Sequence, residues 1–245
     1  MRKFFEIGGV VAAAVLIAFG IAAIVMSIDG QNTVNSSLKA QQIYGTGDMS
    51  PKGISSEVAA AQTQQAALFK KLNAAGIKFN GAPPVASAIT GPDCTVANQS
   101  VNDGSRARCF AQYMWVHVMA ATSGLTYSQM GRFQALQTAP FNQTDGLGGT
   151  NNTKYAAISA VTKQPVDNGR RDLWVTYTAL TTALNASYMA SQISLFGIVV
   201  GVALLLAGLG FGVLAVGGAL RAPDTALTFL RRWAHKTGTT PGVPA

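Results

Sequence analysis

Residues 7–28 read IGGVVAAAVLIAFGIAAIVMSI without a charged side chain, and no other feature of the chain narrows its possible folds so far. At about 1.5 Å of rise per residue, a helix of that length crosses the roughly 30 Å hydrocarbon core of a bilayer. A second uncharged run, Ile193 to Leu220, is longer than a span requires, so it can tilt or let its outer turns stand clear of lipid. A cleaved signal peptide is the alternative for the first run. Against it, the apolar part is long for an h-region, and no clear small-x-small cleavage site follows. Charged residues make up 11% of the chain, less than half of the roughly one quarter usual in soluble domains.

The charges that exist give a sidedness. Arg2 and Lys3 precede the first run, and Arg221, Arg231, Arg232 and Lys236 follow the second. Short flanks rich in Lys and Arg stay cytoplasmic, whereas a long loop crosses largely regardless of its charge. The expected organisation is a cytoplasmic N-terminus (1–6), a first transmembrane helix (7–28), an extracytoplasmic domain (29–192), a second transmembrane helix (193–220) and a basic cytoplasmic tail (221–245). The net charge of +8 is then a matter of topology, and no nucleic-acid partner is expected. The runs hold no ionisable side chain, which leaves a proton relay or intramembrane ion site nothing to build on.

Small residues recur four apart in these runs: Gly197 with Gly201, Gly208 with Gly212, and Gly9 with Ala13. Such pairs let helices approach closely, within one chain or between copies, although any Ala- and Gly-rich run produces some by chance.

The segment between the runs reads as one mainly helical domain. Gln31 to Ile43 is polar and helix-compatible, with Val34 and Leu38 one turn apart. Ser50 and Pro51 mark a helix start, and the Ala-rich stretch carrying Val58, Ala61, Ala66, Leu68 and Leu72 runs to Ala75 before Gly76 ends it. A second helix is predicted from Ser105 to Thr122, with Phe110, Met114, His117 and Val118 at helical spacing. Thr126 and Gln129 form a capping box for a short third helix through Leu136. The PFNQTDGLGGTNNTK stretch is a glycine-rich loop, and Tyr155 to Val161 fits helix or strand. Asn168 caps a last helix that continues into the second run, with Leu173, Tyr177, Leu180 and Leu184 on one face. Cys94 and Cys109 are the only cysteines. In an oxidising compartment they are expected to form a disulfide, and without CxxC spacing a redox pair or metal site is the weaker alternative.

Reactive constellations are scarce. His117 and His235 are the only histidines, and the topology puts them on opposite sides of the membrane, so no single chain offers a two-histidine, one-carboxylate iron site. Copies of His117 brought together in a homo-oligomer are the exception, and a structural helix histidine is the plain reading. There is no GxSxG, Walker loop or strand-borne GxGxxG, and GLGG at 146–149 has no strand before it. Glu57, Asp93, Asp103, Asp145, Asp167 and Asp172 are scattered, without a glycosidase-like pair. No catalytic residue, metal or cofactor is expected. Five sequons, at Asn35, Asn98, Asn142, Asn151 and Asn185, are glycan acceptors in a eukaryotic secretory pathway and polar surface otherwise. In the tail, Leu227, Leu230 and Trp233 beside Arg231, Arg232 and Lys236 form either a helix on an anionic membrane surface or a plain stop-transfer cluster with Arg221.

RKFFEIGGVVAAAVLIAFGIAAIVM, SRARCFAQYM, TYSQMGRF and LWVTYTALTTALNASYMASQISLFGIVVGVALLL together resemble a family of two-span membrane proteins from actinobacteria, over most of the chain. Its members often carry the label aromatic ring-opening dioxygenase. The resemblance implies a plasma membrane facing a cell wall. The iron-binding histidines and carboxylate that the label implies have no matching positions. The resulting expectation is an all-α membrane protein with one disulfide and no enzymatic role. Its outer domain would bind a partner protein, another copy of itself or a cell-envelope component. An extracytoplasmic enzyme, as in the label, and a small-ligand sensor are the alternatives.

Overall fold

A computed structural model describes residues 2–78 and 86–217, with the side chains of 2–6 left aside. The chain is mainly helical and divides into two compact units, one made of 1–31 with 193 onwards, the other of Asn32–Gln192. The basic tail (Arg221, Arg231, Arg232, Trp233, Lys236) and the last residues of the second apolar run lie outside the described residues. Among the described residues, two helices are long and apolar enough to cross a membrane by length and composition: α1, Arg2–Ala40, and α4, Gly169–Val216.

In the first unit, α1 and α4 run antiparallel with small residues at their closest approach. A Cβ on Gly20 would come 2.8 Å from the Gly201 carbonyl oxygen, and one on Gly201 would come 2.8 Å from that of Gly20. Gly208 faces Ile17 and the Ala13 carbonyl, Gly197 faces the Ser27 hydroxyl, and Ala13 is buried. Gly212 differs, because a Cβ there meets only the Ala13 methyl at an ordinary 3.7 Å. The large side chains, Phe19, Met26, Phe196 and Leu206 among them, point outward and are exposed.

The second unit buries its large residues. α2 (Ser55–Ala74) and α3 (Gly104–Ala121) pack together, and the core gathers Leu38, Ile54, Val96, Phe110, Tyr113, Val116 and Leu184, with Leu68, Leu72, Leu125 and Met130 in a second cluster. α3 starts where Asp103 Oδ1 accepts the Arg106 amide at 2.9 Å, and it ends at Thr122, two residues before Gly124 takes a φ of +77°. Asn168 starts α4 by accepting the Arg170 amide, and the helix is unbroken to Val216. The Cys94–Cys109 disulfide joins the loop before α3 to the second turn of that helix. Closing a loop of that length contributes roughly 3 kcal/mol in the chain-entropy model.

Several local expectations give way. α2 begins at Ser55: Ser50 to Gly53 form a turn in which the Ser50 hydroxyl accepts the Gly53 amide. On α2 the buried polar residue is Gln65, donating to the Gly124 carbonyl at 3.4 Å, while Ala66 is exposed. On α4 Leu173 is exposed and Trp174 packs inward in its place. The third helix does not form. The capping contact is made, with the Thr126 amide donating to Gln129 Oε1 at 2.9 Å, but one turn later the chain becomes strand β1 (Phe133–Gln134), antiparallel to β2 (Gly149–Thr150), with Phe133 opposite Thr150.

Asp145 explains that outcome. Its carboxylate is buried and accepts the amides of Gly131, Leu147 and Gly149 at 2.8–2.9 Å. Asn168 closes the same knot, donating through Nδ2 to the Gly131 carbonyl at 2.8 Å. Gly131 and Gly149 have no room for a Cβ, since the first would strike the Gly149–Thr150 backbone and the second Asp145 and Asn168. The glycine-rich stretch is therefore an ordered loop wound on one carboxylate. Of residues 155–161, Tyr155 closes a 3-10 turn, 156–159 carry the bridges Ala135↔Ala156 and Ile158↔Pro165, and 160–161 lie in a turn.

Candidate functional site

Three side chains far apart in sequence meet beside the first turns of α2. A ribbon of backbone hydrogen bonds places the first: Val101 donates to Ile43, Gly45 to Gln99, and Val96 to Met49, all at 2.9–3.0 Å. Gly45 has no side chain to push Val96 away. Asp48 therefore sits at the end of a segment pinned to the strand-like stretch that leads into α3. Glu57 lies in the first turn of α2, where a negative charge suits the helix dipole. His117 comes from the middle of α3, one turn beyond the fully buried Tyr113.

His117 Nδ1 is 2.9 Å from Glu57 Oε1, and Nε2 is 3.5 Å from Asp48 Oδ2. One ligand atom from each residue lies within 4.8 Å of the others. Among the described residues, His117 is the only basic partner of either carboxylate within 4.0 Å. The local field is negative: burial first, then Asp48 and Asp93, push the Tyr113 phenol above its ordinary value. That phenol donates to the Cys94 carbonyl, tying the disulfide loop to the same helix face.

A second feature lies on the other side of α3. An open pocket of about 420 Å³ is lined by Asp93, Gln112, Trp115, Tyr177, Thr181 and Asn185, among others. Its aromatic side is backed by Trp174. The ring centroids are 6.0 Å apart for Trp115–Trp174, 6.1 Å for Trp115–Tyr177 and 5.7 Å for Trp174–Tyr177, with the Trp174 pairs edge-to-face. Burial raises the Tyr177 phenol above its ordinary value, opposed in part by the Thr181 side chain. The 86–88 turn and Ile89, which lead into the pocket rim, are held by Gln62 Nε2 donating to the Ile89 carbonyl at 2.8 Å.

Of the residues singled out from sequence, Cys94 and Cys109 are bonded, and Gly197, Gly201 and Gly208 line the α1–α4 contact while Gly212 stays loose. His117 is only part-buried, with a carboxylate at each ring nitrogen. The expected topology argued against a two-histidine site but had no bearing on one histidine with two carboxylates. Asp48 was not singled out at all, and nothing in its Gly-Asp-Met-Ser context announces the contact. No family model, no curated protein and no solved structure matches the chain.

Proposed function

We propose that the chain is a two-span protein of the plasma membrane, with both termini cytoplasmic, whose residues 29–192 form a non-enzymatic extracytoplasmic module that binds a saccharide of the cell envelope. The membrane part rests on the outward-facing Phe19, Met26, Phe196 and Leu206, large apolar surfaces that lipid would cover at no desolvation cost.

The observation that carries the binding part is the pocket between α3 and the 169–192 portion of α4. A sugar offers a C–H face and a fringe of hydroxyls. Trp115 and Tyr177 supply aromatic surface for the first, and Asp93, Gln112, Thr181 and Asn185 supply donors and acceptors for the second. At about 420 Å³ the pocket takes a small saccharide or one end of a glycan. Gln112 and Asn185 are exposed on their helices, so replacing them spares the core.

The test is a titration of the full chain in detergent with soluble N-acetylglucosamine oligomers and cell-wall digests, read by tryptophan fluorescence. Saturable binding is expected, weakened by about tenfold in Asn185→Ala and Gln112→Ala, the size of one or two lost hydrogen bonds. No saturable response to any glycan, together with a reproducible cross-link from this domain to another protein in native membranes, would replace the saccharide with a protein partner. A tag at Ala245 that is accessible from outside intact cells would overturn the topology.

A further inference from the structure

We propose that Asp48 and His117, positioned by Glu57, form a binding site for a divalent transition-metal cation on the 32–192 unit, independent of the saccharide pocket. The two contacts of the His117 ring differ in kind. At 2.9 Å, Nδ1 and Glu57 Oε1 are at ordinary hydrogen-bond distance. A carboxylate only accepts, so Nδ1 carries the hydrogen, and in the neutral ring Nε2 presents a lone pair. That lone pair faces another acceptor, Asp48 Oδ2, at 3.5 Å.

Two acceptors facing one another need a positive centre between them, either a proton on Nε2 or a metal ion. A hydrogen bond would draw the pair to about 2.7–3.2 Å. A metal bonded to imidazole nitrogen and carboxylate oxygen at about 2.0–2.2 Å, at the tetrahedral angle, holds its ligand atoms about 3.4 Å apart. The observed spacing matches the metal. Glu57 then stands where metal-binding histidines are usually braced, accepting the hydrogen of the other ring nitrogen and fixing the tautomer.

Charge agrees with geometry. Asp48 and Glu57 bring two negative charges, and no Lys or Arg among the described residues pairs with either. The side chains of His117, Asp48 and Glu57 are 26%, 40% and 33% exposed, which leaves the remaining coordination positions to water. Imidazole with carboxylate suits zinc or manganese, whereas magnesium and calcium prefer oxygen alone.

The experiment is a calorimetric titration of the full chain in detergent with Zn2+ alone, with Mg2+ as control. One saturable Zn2+ site is expected, with no comparable Mg2+ uptake. Asp48→Asn and His117→Gln should each weaken it at least tenfold, while circular dichroism shows the helices intact, and His235→Ala should leave it unchanged. Glu57→Ala should cost 10–100-fold, and Glu57→Gln, which keeps the acceptor, should recover most of that loss. Nitrogen NMR of the His117 ring separates positioning from fold support: Zn2+ should move the Nε2 signal in the native chain, and Glu57→Ala should scramble the tautomer. Zn2+ uptake that survives His117→Gln, or a folded protein that takes up none, would overturn the site.

Discussion

The hairpin of 2–31 with 193–217 and the unit of 32–192 obey opposite packing rules within one chain. In the hairpin, small residues meet and large ones face outward: Gly20 and Gly201 bring two backbones together while Phe19 and Phe196 stand exposed. In the other unit, Ile54, Leu72 and Tyr113 are enclosed, and the exposed positions of α2 hold Ala with Ser, Thr, Gln, Lys and Asn. The bilayer proposed around the hairpin would account for the difference. Transferring Phe from lipid into protein gains almost nothing, so close backbone approach has to hold the helices, whereas in water each buried Leu or Ile contributes about 1.5–3 kcal/mol. The second unit also buries a carboxylate joint, Asp145, whereas the buried polar side chains among the described residues of the hairpin are the hydroxyls of Ser27 and Ser194.

The sharpest way to test the contrast is to remove such a joint. Asp145→Ala strands the amides of Gly131, Leu147 and Gly149 in a buried loop, and the expected loss is on the order of 4 kcal/mol. Chemical unfolding followed by near-ultraviolet circular dichroism of Trp115 and Trp174 reads it, and hydrogen exchange in the hairpin should not change. Cys109→Ala or reduction should cost about 3 kcal/mol in the same assay and again leave the hairpin untouched. If either change loosened the hairpin equally, the two regions would not be separate in stability.

The reverse test acts on the hairpin. Gly201→Leu drives a side chain into Ile24 and the Gly20 backbone and should cost about 1–3 kcal/mol of helix pairing, seen as faster exchange of the α1 amides around Gly20. Gly212→Ala belongs to a GxxxG pair as well, yet it meets only a methyl at van der Waals distance and should fall within about 0.5 kcal/mol of the native chain. Equal effects at the two glycines would mean that the motif matters and the contact does not. A smaller effect is expected from pH. The phenols of Tyr113 and Tyr177 are raised above 10.0 in the folded chain, so the folded state favours their neutral form. That contribution is complete below pH 10 and is lost as pH rises through the folded values, so the 32–192 unit should weaken in strong alkali while the hairpin does not.

Legibility in the sequence followed the range of the interaction. The apolar runs, the helix expected from Ser105 to Thr122, the Asn168 cap and the cysteine pair are written in neighbouring residues or in composition, so reading along the chain finds them. Thr126 to Leu136 misleads because one contact of its capping box does form, but Gly131 is claimed by Asp145 from 14 positions away and the chain turns to pair with Gly149–Thr150. His117 is further still from its carboxylate partners, 60 positions from Glu57. Their meeting depends on how the 43–49 ribbon, α2 and α3 pack, and no spacing rule encodes that.

The Asp145 knot has a chemical consequence as well. Asp145 precedes Gly146, the aspartate pairing most prone to slow cyclisation, in which the following amide nitrogen attacks the side-chain carbonyl with loss of water and the ring reopens by hydrolysis as isoaspartate. Here both reactants are engaged: the carboxylate is held by three amides, and the Gly146 nitrogen donates to the Thr144 hydroxyl at 3.2 Å. While the loop is closed the reaction has no path. A molecule that opens there begins to age, and isoaspartate at position 145 would be a lasting record of how long each copy had spent undone.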